Sequence, residues 1–201
     1  MSRNNIFTLG AVLLLMLLVP ITANTYLIYL ATQILIFVLF ATSLNILVGY
    51  GGLVSFGHAA FFAIGGYSCA ILLRTYGVPL VLAIPSAMVI TAVISAILGY
   101  FCVRLSSHYF SMLTLAFGQL IWAVAFKWRE VTGGDDGFLR VMLPDFIGTP
   151  SSFYFFTFVL VLIAMAALWV VAHSPFGRTL MAIRENETRA VAFLYNSISG
   201  G

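Results

Sequence analysis

The sequence contains very little charge, and this scarcity decides the class of protein. Only 7% of its residues are Asp, Glu, Lys or Arg, against about 25% in soluble globular domains. Charged residues are absent from four long ranges, 4–73, 75–103, 105–126 and 146–177. Each range exceeds the roughly 18 apolar residues that indicate a membrane-spanning helix. The chain is therefore predicted to be a polytopic membrane protein, which excludes soluble enzymes, nucleic-acid-binding proteins and disordered proteins.

Motifs that bind nucleotides or metals are also absent from the sequence. It has no Gly-x-x-x-x-Gly-Lys phosphate loop, and its single lysine, Lys127, follows Phe126. It has neither the His-Glu-x-x-His nor the Gly-x-Ser-x-Gly motif. Cys69 and Cys102 lie inside apolar runs, where small core residues are the favoured interpretation. We expect no catalytic residue, metal site or cofactor in this chain, and no enzymatic activity.

The apolar runs predict helices, because membrane-barrel strands would alternate in polarity. The expected fold is an all-α polytopic membrane protein with about six transmembrane helices and an amphipathic helix on the cytoplasmic side. The N-terminal run lacks a cleavage site, so it is interpreted as a first span or an uncleaved anchor. The six expected spans are 6–22, 26–48, 56–73, 79–102, 108–126 and 152–172.

The distribution of basic residues favours cytoplasmic termini, although the excess is small. An even number of spans places both termini on one side of the membrane. With that side in the cytoplasm, the basic residues inside are Arg3, Arg104, Arg178, Arg184 and Arg189, and those outside are Arg74, Lys127, Arg129 and Arg140. This arrangement agrees with the positive-inside rule.

A glycine-rich stretch between the second and third expected spans is the first candidate site. Its candidate residues are Gly49, Gly51, Gly52, Ser55, Gly57 and His58. One interpretation is a tight turn in which Ser55 caps the following helix. The other is a broken or re-entrant helix that lines a translocation path. A proton relay through His58 is disfavoured, because the first acidic residue of the chain is Glu130.

Two further features are predicted to be structural. The fourth expected span carries small residues at every fourth position, which places them on one helix face where a neighbouring helix packs closely. These residues are Ala83, Ala87, Thr91, Ser95 and Gly99. The stretch Thr132–Gly137 lacks the ligand spacing of a calcium loop and is predicted to be a polar turn.

A short amphipathic helix is predicted after the last span. Ser174 and Pro175 are typical of a helix start, with serine as the cap and proline in the first position. Phe176, Leu180 and Ile183 then fall on one face. Such a helix lies in the lipid headgroups or docks into a groove of a soluble partner.

The charges of this helix are mixed. Glu185 and Arg189 have the spacing of an i, i+4 pair, and Glu187 adds a second acidic group. Acidic residues mildly disfavour simple binding to an anionic lipid surface. A protein partner is therefore left open beside the lipid.

Four segments, in this order and spacing, resemble one known family. They are Gly49–Tyr67 (GYGGLVSFGHAAFFAIGGY), Tyr109–Gly118 (YFSMLTLAFG), Thr132–Gly137 and Ser174–Ala192. They resemble the permease subunits of branched-chain amino acid ABC importers, specifically the second permease type of the high-affinity importer. The resemblance covers most of residues 26–192.

The resemblance implies a multi-pass permease in the cell inner membrane that imports leucine, isoleucine and valine. The implied partners are a sister permease, two cytoplasmic ABC ATPase subunits, an extracytoplasmic amino-acid-binding protein and the membrane lipid, with no nucleic acid. No cofactor is implied for this chain, because ATP would be hydrolysed by the separate ATPase subunits.

The resemblance also divides the chain into three parts. Residues 1–173 would form the transmembrane bundle, 174–192 the cytoplasmic coupling helix and 193–201 a short tail. The polar residues expected to meet the ATPase are Arg184, Glu185 and Glu187, with Phe176, Leu180 and Ile183 as apolar anchors.

One departure from the family pattern widens the alternatives. The family has a glycine about where Leu194 stands and continues through further spans, so this chain is expected to be C-terminally truncated. The alternatives are a related urea or amide ABC importer permease, a non-functional truncated permease fragment, and a secondary transporter or channel. The last would need charges within the membrane for ion coupling, and the expected spans supply almost none.

Overall fold

The computed structural model describes residues 24–102, 107–138 and 147–185, together with Met16, Pro20 and Pro144. No strand occurs in this part of the chain. Its α-helices are α1 (Thr25–Asn45), α2 (His58–Arg74), α3 (Leu80–Cys102), α4 (Ser107–Lys127), α5 (Arg129–Thr132), α6 (Pro150–His173) and α7 (Pro175–Glu185). A π-helical turn, Ile46–Tyr50, continues α1, and a 3₁₀ turn, Gly134–Asp136, follows α5.

Four helices in the described part of the chain are long and apolar enough to cross a membrane. They are Thr25–Tyr50, Leu80–Cys102, Tyr109–Lys127 and Pro150–His173. The apolar helix α2 is shorter, with 17 residues. An all-α polytopic membrane protein is thereby confirmed. The expected span 6–22 lies outside the described residues, so the count of six spans stays a prediction.

The described residues divide into two compact units. The first lies within Met1–Thr42 and Asp145–Val170 and has a core in which α1 packs against α6. The buried core residues are Ile28, Ala31, Leu35, Tyr154, Phe158 and Val161. Tyr154 is fully buried, its ring stacks on Phe158 at 6.2 Å between centroids, and its hydroxyl donates to the carbonyl of Met16 at 2.6 Å. The partner for this hydroxyl removes the cost of burying it.

The second unit lies within Ser43–Pro144 and Val171–Gly201. In it, α2 and α3 pack through the small residues that the sequence predicts. Ala83 and Ala87 are 0% and 4% exposed, and a side chain at Gly65 would lie 3.5 Å from the hydroxyl oxygen of Thr91. Small residues permit this close packing of two apolar helices.

Large apolar side chains cover the outer faces of the long helices. On α3, Val81 and Met88 are both 68% exposed, and Met112 on α4 is 70% exposed. Contiguous apolar surface of this kind does not suit water but suits hydrocarbon, where the backbone polar groups are already paired within each helix. The exterior therefore agrees with a membrane location.

Candidate functional site

The glycine-rich stretch is an interruption between two helices, and residues 49–57 are called the glycine segment below. The π-helical turn ends at Tyr50, and α2 begins at His58 with Gly57 as its N-cap. The predicted capping role of Ser55 is wrong, because Ser55 is buried two residues before that cap. Regular helix is absent from residues 51–57.

The end of α1 retains its backbone hydrogen bonds by changing their spacing. A side chain at Gly51 would lie 2.7 Å from the carbonyl oxygen of Leu47, so glycine is required at this point of the chain. The N–H donors reach four to six residues back: Gly51 to Ile46 (3.3 Å), Gly52 to Val48 (3.1 Å) and Leu53 to Leu47 (3.4 Å). The carbonyl of Gly49 lies outside this set of backbone bonds.

Helix α4 holds the second half of the glycine segment. The hydroxyl of Ser111 donates to the carbonyl of Val54 at 2.7 Å. Gly57 contacts the carbonyl of Thr114 so closely that no side chain would fit, and a side chain at Gly118 would lie 3.6 Å from the Cα of Gly57. The three α4 residues span two helical turns on one face, about 10 Å. The segment therefore runs along α4 and does not merely cross its end.

His58 takes part in a contact between the two helices that flank the segment. Its Nε2 lies 2.8 Å from the hydroxyl of Ser43, and the donor depends on the histidine tautomer. This bond ties the start of α2 to the end of α1. Within the described residues, no group of His, Cys, Asp or Glu is arranged to hold a metal ion.

The surface helix α7 begins as the sequence predicts. Ser174 caps it by accepting the N–H of Gly177 at 3.4 Å, and Pro175 is its first residue. The Ser174 hydroxyl donates to the carbonyl of Val171 at 2.7 Å. Gly177 is buried against the carbonyl of Ala172, where no side chain would fit. Glycine therefore lets α7 fold back closely on the end of α6.

The opposite end of α7 rests on the glycine segment. The Nη1 of Arg184 donates to the carbonyl oxygen of Gly49. A side chain at Gly52, whose φ is +67°, would lie 2.8 Å from the Cγ of Arg184. The two sets of candidate residues, one on the glycine segment and one on the surface helix, therefore meet at Arg184.

The apolar side of α7 remains largely uncovered. Phe176 is 62% exposed and Ile183 is 40% exposed, while Leu180 between them is half-buried. Glu185 is exposed at the end of the helix. The remaining candidate, Glu187, and the expected partner of Glu185, Arg189, lie outside the described residues.

A groove with a volume of about 410 Å³ lies between α2 and α4. It extends from Phe56 in the glycine segment to Gly134 in the turn after α5. Ala63 and Trp122 represent its mostly apolar lining, and Tyr67 and Gln119 contribute polar groups. Such a lining accommodates an aliphatic group better than a charged one.

The predicted polar turn closes this end of the groove. The hydroxyl of Thr132 lies 2.5 Å from the carbonyl oxygen of Ala125 and 2.8 Å from that of Trp128, and it accepts the N–H of Gly134 at 3.2 Å. Asp135 is exposed, as expected for a polar turn. The turn is therefore fixed mainly to the end of α4.

Ser111 was missed as a site residue by sequence reasoning. Its spacing from Thr114 and Gly118 marks a small and polar face of α4. A full reading of that face would have identified the surface that receives the glycine segment.

Together these features define a multi-span helical membrane protein in which an amphipathic surface helix contacts an interrupted span. Residues 26–196 match the family model described as the permease component of branched-chain amino acid transport systems. The chain belongs to this family.

Two curated relatives carry the name high-affinity branched-chain amino acid transport system permease protein LivM. The relative from Salmonella typhimurium is 29% identical over 184 aligned positions, and the match covers 78% of this chain and 43% of the relative. The relative from Escherichia coli is 28% identical over 206 aligned positions, and the match covers 89% of this chain and 48% of the relative. The chain thus spans less than half the length of these relatives. No solved structure gives a significant match.

Proposed function

We propose that this chain is a permease subunit of an ATP-driven importer of the branched-chain amino acids leucine, isoleucine and valine. It would sit in the inner membrane beside a sister permease and receive its substrate from an extracytoplasmic binding protein. The family match supports the transport role. The observation that carries the coupling role is the contact between α7 and the glycine segment.

The groove between α2 and α4 supplies part of the translocation path in this proposal. Its wall is mostly apolar, which suits a branched aliphatic side chain, and Gln119 and Tyr67 offer polar groups to the rest of the substrate. Phe56 places the glycine segment at one end of the groove. A movement of that segment would therefore alter the path itself.

The energy source in this proposal is a separate ATPase. In the described long helices and α2, charged residues occur only at the ends, at Arg74 and Lys127. Coupling to an ion gradient generally uses ionisable groups within the membrane, so this distribution supports an external source of energy. The ATPase would bind α7 through the exposed stripe of Phe176 and Ile183, with Leu180 behind it.

Co-purification tests the partner assignment. The chain would be expressed with the ATPase subunits and the sister permease, extracted in mild detergent and recovered through the ATPase. Ile183→Glu should abolish recovery of the chain, because it places a charge in the exposed stripe that the ATPase would bind. Met181→Glu is the matched control: Met181 is 39% exposed against 40% for Ile183, and it lies about 160° away around the helix. Equal recovery of both variants would contradict docking through this stripe.

Uptake into membrane vesicles tests the path and the substrate. Ala63→Phe should block leucine uptake by filling the groove, whereas Ala96→Phe adds the same bulk at an exposed position of α3. Competition of leucine uptake by valine and isoleucine is expected. Competition by urea or acetamide instead would assign the chain to an amide importer, and uptake without ATP would assign it to secondary transport.

A further inference from the structure

We propose that Arg184 is the positioning residue through which α7 moves the glycine segment when the partner ATPase acts on α7. This inference rests on the proposed function, because it assigns the internal step of coupling. The resemblance places Arg184 against the ATPase, whereas this inference assigns its contact to the glycine segment and leaves the ATPase to the exposed stripe of α7.

The first argument concerns the end of α1. The last carbonyls of a helix lack partners within it and carry a partial negative charge. The π-helical turn provides backbone donors for Ile46, Leu47 and Val48. The next carbonyl, that of Gly49, accepts its bond from the Arg184 guanidinium. A cation in this position also complements the helix dipole, so Arg184 serves as a cap for α1 that comes from another helix.

The second argument concerns the fit of the arginine stem. Gly52 has a positive φ, and an added side chain would lie 2.8 Å from the Cγ and 3.2 Å from the Cδ of Arg184. The stem therefore lies directly on the backbone of Gly52. Contacts at both the guanidinium and the stem give Arg184 a defined position on the segment.

The third argument is that α7 is attached at two points on one face. Gly177 packs on the end of α6, and Arg184 contacts the glycine segment. These residues are seven apart, which is two turns or about 10 Å along the helix. A tilt of α7 about the Gly177 contact therefore displaces Arg184. The exposed stripe of Phe176 and Ile183 leaves a separate side for the partner that causes the tilt.

The displacement has a defined route beyond the segment. The carbonyl of Val54 accepts a hydrogen bond from the hydroxyl of Ser111, and Gly57 contacts Thr114, so the segment meets α4 at the groove wall. Phe56 between them lines the groove. Arg184 thus joins the surface helix to the proposed path through one continuous set of contacts.

The test measures accessibility of the glycine segment by thiol labelling. Cys69 and Cys102 are replaced by alanine, and Val54→Cys, at a position 43% exposed, supplies the reporter. Without ATPase, Arg184→Ala should raise the labelling rate about tenfold, as expected for loss of one charge-assisted hydrogen bond. Arg184→Lys should restore much of the original rate. Arg178→Ala, which removes the same charge from another exposed position of α7, should leave it unchanged.

The second arm adds the ATPase subunits with a non-hydrolysable ATP analogue. The analogue should change the labelling rate in the parent chain and leave Arg184→Ala unresponsive, while the ATPase still co-purifies with that variant. Loss of ATPase recovery in Arg184→Ala would mean that Arg184 belongs to the docking contact itself, and that result would overturn the proposal.

The remaining outcomes separate the inference from the proposed function. An unchanged labelling rate in Arg184→Ala, or a retained response to the analogue, overturns the role of Arg184 and leaves the permease assignment intact. Failure of the parent chain to recover any ATPase overturns the proposed function and the coupling role together. Faster labelling of Arg184→Ala in that case would show a cap that carries no coupling.

Discussion

Two glycine-rich breaks in the second unit differ in what holds them. The glycine segment is held by Arg184 and by Ser111, residues distant in sequence on two other helices. The turn at residues 132–137 is held mainly by its own neighbourhood, with Thr132 bonded to Ala125 and Trp128. The first break is therefore a junction between elements, and the second is a local cap on α4.

The glycines themselves reflect this difference. Gly57 faces the backbone of α4, and Gly52 faces the side chain of α7. Gly133 faces Gly137 within its own turn. A substitution in the junction should consequently disturb the packing of other helices, whereas the effect of a substitution in the turn should be confined to the turn.

The largest effect is expected from Gly57→Val. The new side chain meets the carbonyl of Thr114, a backbone atom that cannot rotate away, and we expect a loss of about 3 kcal/mol or more. The measurement is the fraction of protein that elutes as a single species from size-exclusion chromatography in detergent, before and after heating. Gly66→Val provides the control in α2, since nothing lies within 4 Å of a side chain there. An equal loss of the single-species fraction in both variants would show that the junction does not specifically require glycine.

A smaller and local effect is expected from Gly133→Ala. Its φ is +82° and its added methyl group meets the carbonyl of Gly137, so both strain and contact oppose it. We expect a destabilisation of about 2 kcal/mol, seen as a lower melting temperature in detergent.

The control for this variant separates strain from contact. Gly77 has a φ of +61° with nothing within 4 Å of an added side chain, so Gly77→Ala should cost only about 1 kcal/mol. Labelling of the Val54→Cys reporter should be unchanged in Gly133→Ala. Faster labelling would contradict the local character of the turn.

The features that were predictable from sequence are those set by near neighbours. The spacing of Ala83 and Ala87 predicts the packed face of α3, and Ser174 with Pro175 predicts the start of α7. The contact between Arg184 and Gly49 joins residues 135 positions apart, and helical periodicity does not encode such pairs. The prediction that Ser55 caps the next helix is wrong, because the irregular segment extends two residues further, to Gly57.

An effect of moderate size is expected from Ser111→Ala. It removes the donor to the carbonyl of Val54 at 2.7 Å, at a cost of about 1 kcal/mol. The Val54→Cys reporter should label about fivefold faster, as that free energy implies. Thr42→Val removes a hydroxyl that bonds within its own helix, to the carbonyl of Val38 at 2.7 Å, and should leave the rate unchanged. The same increase in both variants would mean that the reporter follows general loosening.

The smallest effect is expected from Asp135→Asn combined with Asp136→Asn. Both aspartates are exposed in the turn, and their removal should change stability by less than about 0.5 kcal/mol. A turn whose conformation rests on Thr132 and three glycines with positive φ does not need these charges. Uptake of leucine into vesicles should also remain at the parent rate. A clear loss of uptake without a loss of stability would give this second break a role beyond capping α4, and the contrast between junction and local cap would no longer hold.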